Sequence, residues 1–257
     1  MIWSQKKCIV LDMDGTVYLG NIPIEKAVNF ITTHWNDTDF YFLSNNTSKS
    51  PATDIKKLNG MGIPATLDKL LSPVTPLVEF LKKNNIKTVY VVGNNDFKAD
   101  LAQKMPLLTY SDKEAQAVIL AYDTDLTYEK LSKAALLLQK ADVLFLATHP
   151  DLVCPSPEGP LPDVGSFIEL FHTATGRRPQ FIFGKPDPAV LSPLLDKYDK
   201  KDMVMVGDRL STDKKLAENA GIDFALVLSG EATLEDLQKE SIQPTEVLET
   251  LGDATWQ

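Results

Sequence analysis

The stretch Cys8-Ile-Val-Leu-Asp-Met-Asp-Gly-Thr-Val17 is an apolar run that stops at two acids, Asp12 and Asp14, one residue apart. Short apolar runs bounded by turn residues read as buried strands. A carboxylate at the end of such a strand is costly unless something compensates it. Two together imply a cation, hydrogen bonds or an exposed site.

Outward from this run, strand-like segments alternate with amphipathic helices almost to the end of the chain. The segment 7–11 is followed by a helix over 24–35, in which Ala27, Phe30, Ile31 and Trp35 share a face, and then by a strand over 40–43. Ser50-Pro51 and Ser72-Pro73 each read as a cap followed by a first-turn proline. Further apolar runs fall at 88–92, 118–121, 143–147, 181–183, 203–206 and 224–228, with a helix near 167–175. The alternation predicts an α/β protein with a mostly parallel, Rossmann-like sheet. The middle runs either extend that sheet or build a second one. The segment 149–162 carries too many prolines for a central strand or a helix and reads as a long ordered loop.

Composition narrows the functional classes. The 257 residues, 44% hydrophobic and 24% charged, suffice for two cores. A net charge of −9 argues against nucleic-acid binding, which needs a basic face, so an anionic ligand would require a local positive focus. No apolar run approaches the roughly 20 residues of a membrane span, and the two cysteines, Cys8 and Cys154, fit neither a disulfide framework nor a zinc site. These features predict a cytoplasmic protein with reduced thiols. His34 and His172 lack metal-ligand spacing and are expected on helix faces.

Four apolar runs end in reactive groups: Asp12 and Asp14, Ser44-Asn45-Asn46, Lys185, and Asp208 with Asp213. In open parallel sheets, ligands bind beyond the carboxyl ends of the strands, where these residues would converge. Each has an ordinary reading alone: a solvated turn for the acid pair, a turn cap for the Ser-Asn-Asn segment, a solvated charge for Lys185, a first-turn helix acid for Asp213. Taken together and in order, the segments DMDGT, FLSNNTS, GKPDP and GDRLSTD resemble the four motifs of the haloacid dehalogenase-like hydrolases. The spacing between the second and third, with AYDTDLTYEKL and ATHPDLVCPSPEGPLPDVGS, resembles the NagD-type or p-nitrophenyl phosphatase branch.

The resemblance implies a catalytic core at 1–76 and 180–257, with an inserted smaller α/β cap at 77–179. It further implies a Mg²⁺-dependent phosphatase of small phosphate monoesters, such as nucleotide monophosphates, sugar phosphates, phosphoglycolate or p-nitrophenyl phosphate. Asp12 would attack phosphorus and form an aspartyl-phosphate. A carboxylate about 4 Å from a phosphate oxygen is repelled by roughly 4 kcal/mol at an effective dielectric of about 20, which a cation would offset. Asp12 and Asp208 would bind it by side chain, Asp14 by its backbone carbonyl, and Asp213 directly or through water. Asp14 would be the general acid and base, and Lys185, the Ser44 hydroxyl and Asn45 would hold phosphate oxygens, with Asn46 beside them. His149 stands where the family more often has asparagine. It is read as a contact to the substrate's leaving group or as a loop hydrogen-bonder. Asp14 speaks against a dehalogenase. A phosphomutase and a catalytically silent phosphometabolite-binding protein remain the alternatives, and a cap edge is a candidate homodimer surface.

Overall fold

The structure, a computed structural model, describes residues 1–156 and 158–257. Pro157, in the proline-rich part of the expected loop, lies outside the described residues. The chain divides into two compact units: Met1–Ser44, Ala52–Leu71 and Lys185–Gln257 form the first, and Asn45–Pro51 with Ser72–Gly184 the second.

The first unit is built on a six-stranded parallel sheet, in the order Glu246–Leu248, Asp223–Val227, Met203–Gly207, Cys8–Asp12, Asp39–Leu43, Leu70–Leu71. Cys8–Asp12 is central, pairing Leu11 with Val206 on one side and Asp12 with Leu43 on the other. Its side chains alternate between two cores: Ile9 and Leu11 enter one with Phe40, Phe42, Val204 and Val206, while Cys8 and Val10 enter the other with Tyr41, Leu43, Met203 and Met205. Both faces are covered, so the strands are apolar at successive positions rather than alternately polar. The helix Glu25–Thr33 lays Ala27, Phe30 and Ile31 on the first of these cores. The helix Pro51–Gly60 starts at the proline the sequence marks and contributes Leu58 to the same core.

The middle runs build a sheet of their own. The second unit has five parallel strands, in the order Phe181–Ile182, Leu144–Ala147, Ala117–Leu120, Thr88–Val92, Thr109–Tyr110. This sheet too is buried on both faces: Val89, Val91, Ala117 and Ile119 pack on one, Val92, Val118 and Leu120 on the other. The helix Val164–Thr175 begins where the Asp163 carboxylate accepts the Val164 N–H at 2.6 Å, and it stops at Gly176 in the left-handed conformation (φ 72°). Within the proline-rich stretch, Val153–Cys154 and Leu161–Pro162 pair as a short antiparallel ladder.

Two stretches next to the first unit's segments are tied into the second unit. The run at 181–183, read as a strand of the first sheet, pairs with the second: Phe181 lies beside Leu146, and Phe183 joins Val74 and Leu77 in that unit's core. The chain leaves the first unit after Ser44 and again after Leu71, and re-enters it at Ala52 and at Lys185. The segment Asn45–Pro51, expected in the core, is tied into the second unit, where Thr47 Oγ1 accepts the Tyr122 N–H at 3.0 Å and Ser48 O accepts from Asn94 Nδ2 at 3.2 Å. Among the described residues, no helix is long and apolar enough to cross a membrane.

Candidate active site

Because the first sheet is parallel, its strands deliver their C-terminal residues to one edge. Asp12 ends the central strand, Ser44 follows Asp39–Leu43, and Asp208 follows Met203–Gly207. Asp213 sits one turn further on, in the wide helical turn Leu210–Lys214, with its Oδ2 accepting the Arg209 N–H at 3.1 Å. Each of Asp12, Asp208 and Asp213 is buried and places a carboxylate oxygen within 4.8 Å of the others. Lys185 binds two of them at once, its Nζ donating to Asp12 Oδ1 at 2.5 Å and to Asp213 Oδ1 at 2.6 Å.

One ammonium thus faces three buried carboxyls, and the imbalance shows in their proton affinities. Burial is the largest cause pushing Asp208 above the usual carboxylate range, reinforced by the charges of Asp12 and Asp213. Burial likewise raises Asp213, with Lys185 pulling it back. Lys185 loses hydration on burial, but the attraction of Asp12 and Asp213 outweighs that loss and raises its pKa.

The chemistry of this donor set fits a divalent cation. Asp208 Oδ1 is buried without a hydrogen-bond partner, a costly state for a carboxylate oxygen and one that metal coordination would relieve. Asp208 Oδ2, by contrast, accepts the Glu231 N–H at 2.7 Å, which fixes the carboxylate's orientation. Two glycines leave room for it: a Cβ on Gly230, or on Gly15 (φ 88°), would run into the Asp208 carboxylate. Ser229 Oγ donates to Gly15 O at 2.6 Å and joins the two loops that carry them. This Ser229–Glu231 segment is a part of the site that residue-type reasoning misses. A glycine soon after the apolar run 224–228 is its only signal.

Asp14 differs from the three buried acids in being exposed at the residue level, although neighbouring protein still strips water from its carboxyl and raises its pKa. The Gly20 N–H, donating to Asp14 Oδ1 at 3.4 Å, opposes that rise, as does Lys57. Ser44 is buried at the end of its strand, where its N–H donates to Leu71 O at 3.2 Å.

The remaining candidate residues fall in the second unit. Asn45 Nδ2 donates to Asp151 Oδ2 at 3.2 Å. Asn46 Oδ1 accepts from the Ser48 N–H and hydroxyl at 2.8 and 2.7 Å, the local turn bond that asparagine favours. His149 is fully buried, with Nδ1 at 2.9 Å from Thr148 Oγ1 and Nε2 at 3.0 Å from Asp163 Oδ1. Of the two histidines expected on helix faces, His34 follows the helix Glu25–Thr33 and stacks on Trp256, and His172 lies within Val164–Thr175.

A parallel α/β sheet that gathers these acids and one lysine at its carboxyl edge defines a class, and the chain belongs to the haloacid dehalogenase-like hydrolases. Residues 9–104 match the haloacid dehalogenase-like hydrolase family and residues 182–254 the HAD-hydrolase-like family. An acid sugar phosphatase of Staphylococcus haemolyticus is 34% identical over 243 residues, covering 93% of this chain and 91% of that protein. The crystal structure of a 4-nitrophenylphosphatase from Thermotoga maritima matches with a TM-score of 0.93 and 36% identity, over 100% of both chains. That of a glycerol phosphate phosphatase from Mycobacterium tuberculosis in complex with calcium matches with a TM-score of 0.86 and 27% identity, over 96% of this chain and 74% of that one.

Proposed function

We infer that the protein is a phosphatase that hydrolyses small phosphate monoesters through a phosphorylated Asp12. The observation that carries this reading is the contact of Lys185 with both Asp12 and Asp213, beside the buried carboxylate of Asp208. The names of the relatives point to sugar phosphates, glycerol phosphate and 4-nitrophenyl phosphate as the substrate class.

In the first step an Asp12 carboxylate oxygen bonds to phosphorus, and the bond from phosphorus to the ester oxygen breaks. Asp14 gives its proton to the departing alkoxide. It then takes a proton from the water that attacks the acyl phosphate, which frees Asp12 and releases inorganic phosphate. Its raised pKa, caused by burial, suits the acid role, since it extends the pH range over which the carboxyl still has a proton to give. Lys185 and the Ser44 hydroxyl bind phosphate oxygens as charge shifts onto them. Asp12 and Asp208, the Asp14 carbonyl, and Asp213 directly or through water, would hold Mg²⁺. When bound, this ion offsets the repulsion between the nucleophile and the phosphate.

The test is phosphate release from 4-nitrophenyl phosphate and from glycerol phosphate, with Mg²⁺ or with a chelator, by the wild type and Asp12→Asn. Turnover by the wild type that chelation stops, and that the substitution lowers at least about a thousandfold, is expected. An Asp12→Asn enzyme that stays active would mean that water attacks the ester directly.

A further inference from the structure

The first unit carries a small hairpin, Tyr18–Leu19 paired with Ile22–Pro23, just after Asp14. Two residues per strand cannot hold a hairpin in water, and Leu19, Ile22 and Pro23 are exposed. Its base is tied down by the Gly15 N–H donating to Tyr18 O at 2.7 Å and the Ile24 N–H donating to Val17 O at 3.0 Å. Its turn is held from another element. Lys57, in the last turn of Pro51–Gly60, donates from Nζ to Gly20 O at 2.5 Å, and the same ammonium stands 3.2 Å from the centroid of the Tyr18 ring. Gly20 adopts a positive φ of 57°, and its own N–H is the donor to Asp14 Oδ1.

One residue therefore links two others: Gly20 accepts from Lys57 through its carbonyl and donates to Asp14 through its amide. At 3.4 Å the second bond is long, and such a contact weakens steeply if the turn drifts. We propose that Lys57 is a positioning residue for the Asp14 carboxyl, clamping the hairpin turn so that the Gly20 amide stays on Asp14 Oδ1. The proposal rests on the assignment of Asp14 as proton donor. Alone, a half-buried lysine near the end of a helix reads as a solvated charge. Here its head group instead grips the two sides of one turn, the carbonyl at the tip and the aromatic ring at the base.

The test compares Lys57→Met, which keeps the aliphatic stem and removes the donor and charge, with Lys57→Arg, which restores both. A misplaced acid matters most when the leaving group is poor. Lys57→Met should therefore lower kcat on glycerol phosphate about tenfold or more and on 4-nitrophenyl phosphate by less than about threefold, with KM and melting temperature little changed. Lys57→Arg should recover most of the loss on glycerol phosphate. Hydrogen exchange read over residues 18–23 should be about tenfold faster in Lys57→Met, with other segments unaffected. Equal losses on both substrates, no loss on either, or unchanged exchange in the hairpin would overturn the proposal. If the wild type hydrolyses neither ester, the phosphatase reading falls instead. The exchange measurement, which needs no turnover, still decides whether Lys57 clamps the turn.

Discussion

Replacing Lys185 with methionine would keep most of the side-chain volume and remove the ammonium that donates to Asp12 and Asp213. At an effective dielectric of about 20, opposite unit charges 2.5 Å apart attract by roughly 6–7 kcal/mol. The bond to Asp213 at 2.6 Å is of similar strength. Against this stands the cost of stripping water from a buried ammonium, several kcal/mol, so the measured loss on breaking such a buried pair is about 3–5 kcal/mol. The loss should depend on pH. An acid whose folded pKa lies above its unfolded value near 4 contributes stability below that value and loses it as pH rises toward the folded pKa. Burial already places Asp208 and Asp213 in that position, and without Lys185, whose charge pulls it down, Asp213 would move further up. Urea unfolding with a chelator present should therefore show a wild-type-to-variant gap that is larger near pH 8 than near pH 5, by about 1–2 kcal/mol. A gap below about 1 kcal/mol, or one that does not change with pH, would show that Lys185 does not carry the charge balance of the site.

Asp14→Asn should lower kcat on glycerol phosphate by about 10²–10⁴-fold and by clearly less on 4-nitrophenyl phosphate, whose phenolate leaves without help; equal losses would contradict the acid role. Saturating Mg²⁺ should stabilise the wild type by about 2–3 kcal/mol at a hundred times its dissociation constant, and thermal unfolding with and without chelator measures this. Gly230→Ala puts a methyl group against the Asp208 carboxylate and should weaken Mg²⁺ binding at least about tenfold, as titration calorimetry would show.

Parts of the molecule are plain in the sequence because their signals are local. An apolar run ending in an acid identifies both a buried parallel strand and a residue at its carboxyl edge, which is why Asp12 and Asp208 can be paired from the sequence alone. Hydrophobic pattern does not say which sheet a strand joins, and the run at 181–183 goes to the second unit because Phe181 finds Leu146 there. His149 reads as part of a proline-rich loop and therefore as accessible. Its ring is enclosed, and its Nε2 lies 3.0 Å from the Asp163 carboxylate oxygen, fourteen residues on, that also accepts the Val164 N–H at the start of a helix. Gly230 and Lys57 are unreadable for a different reason: the meaning of each lies in a close approach between segments far apart in the chain.

The central strand of the first unit has neighbours of very different origin. Cys8–Asp12 pairs on one side with Asp39–Leu43, made moments later on the ribosome, and on the other with Met203–Gly207, nearly two hundred residues downstream. Asp12 is thus synthesised well before Lys185, Asp208 and Asp213, which all follow it by more than 170 residues. Ser72–Gly184 is complete before any of them. Nascent chains halted before residue 203 should protect the second unit from protease and leave the first open, since its sheet still lacks a core strand. Asp12 would then stay a bare carboxylate, without its lysine and its fellow acids, until residues 185–213 have been made. The making of residues 185–213 is the event that surrounds Asp12 with its lysine and its fellow acids.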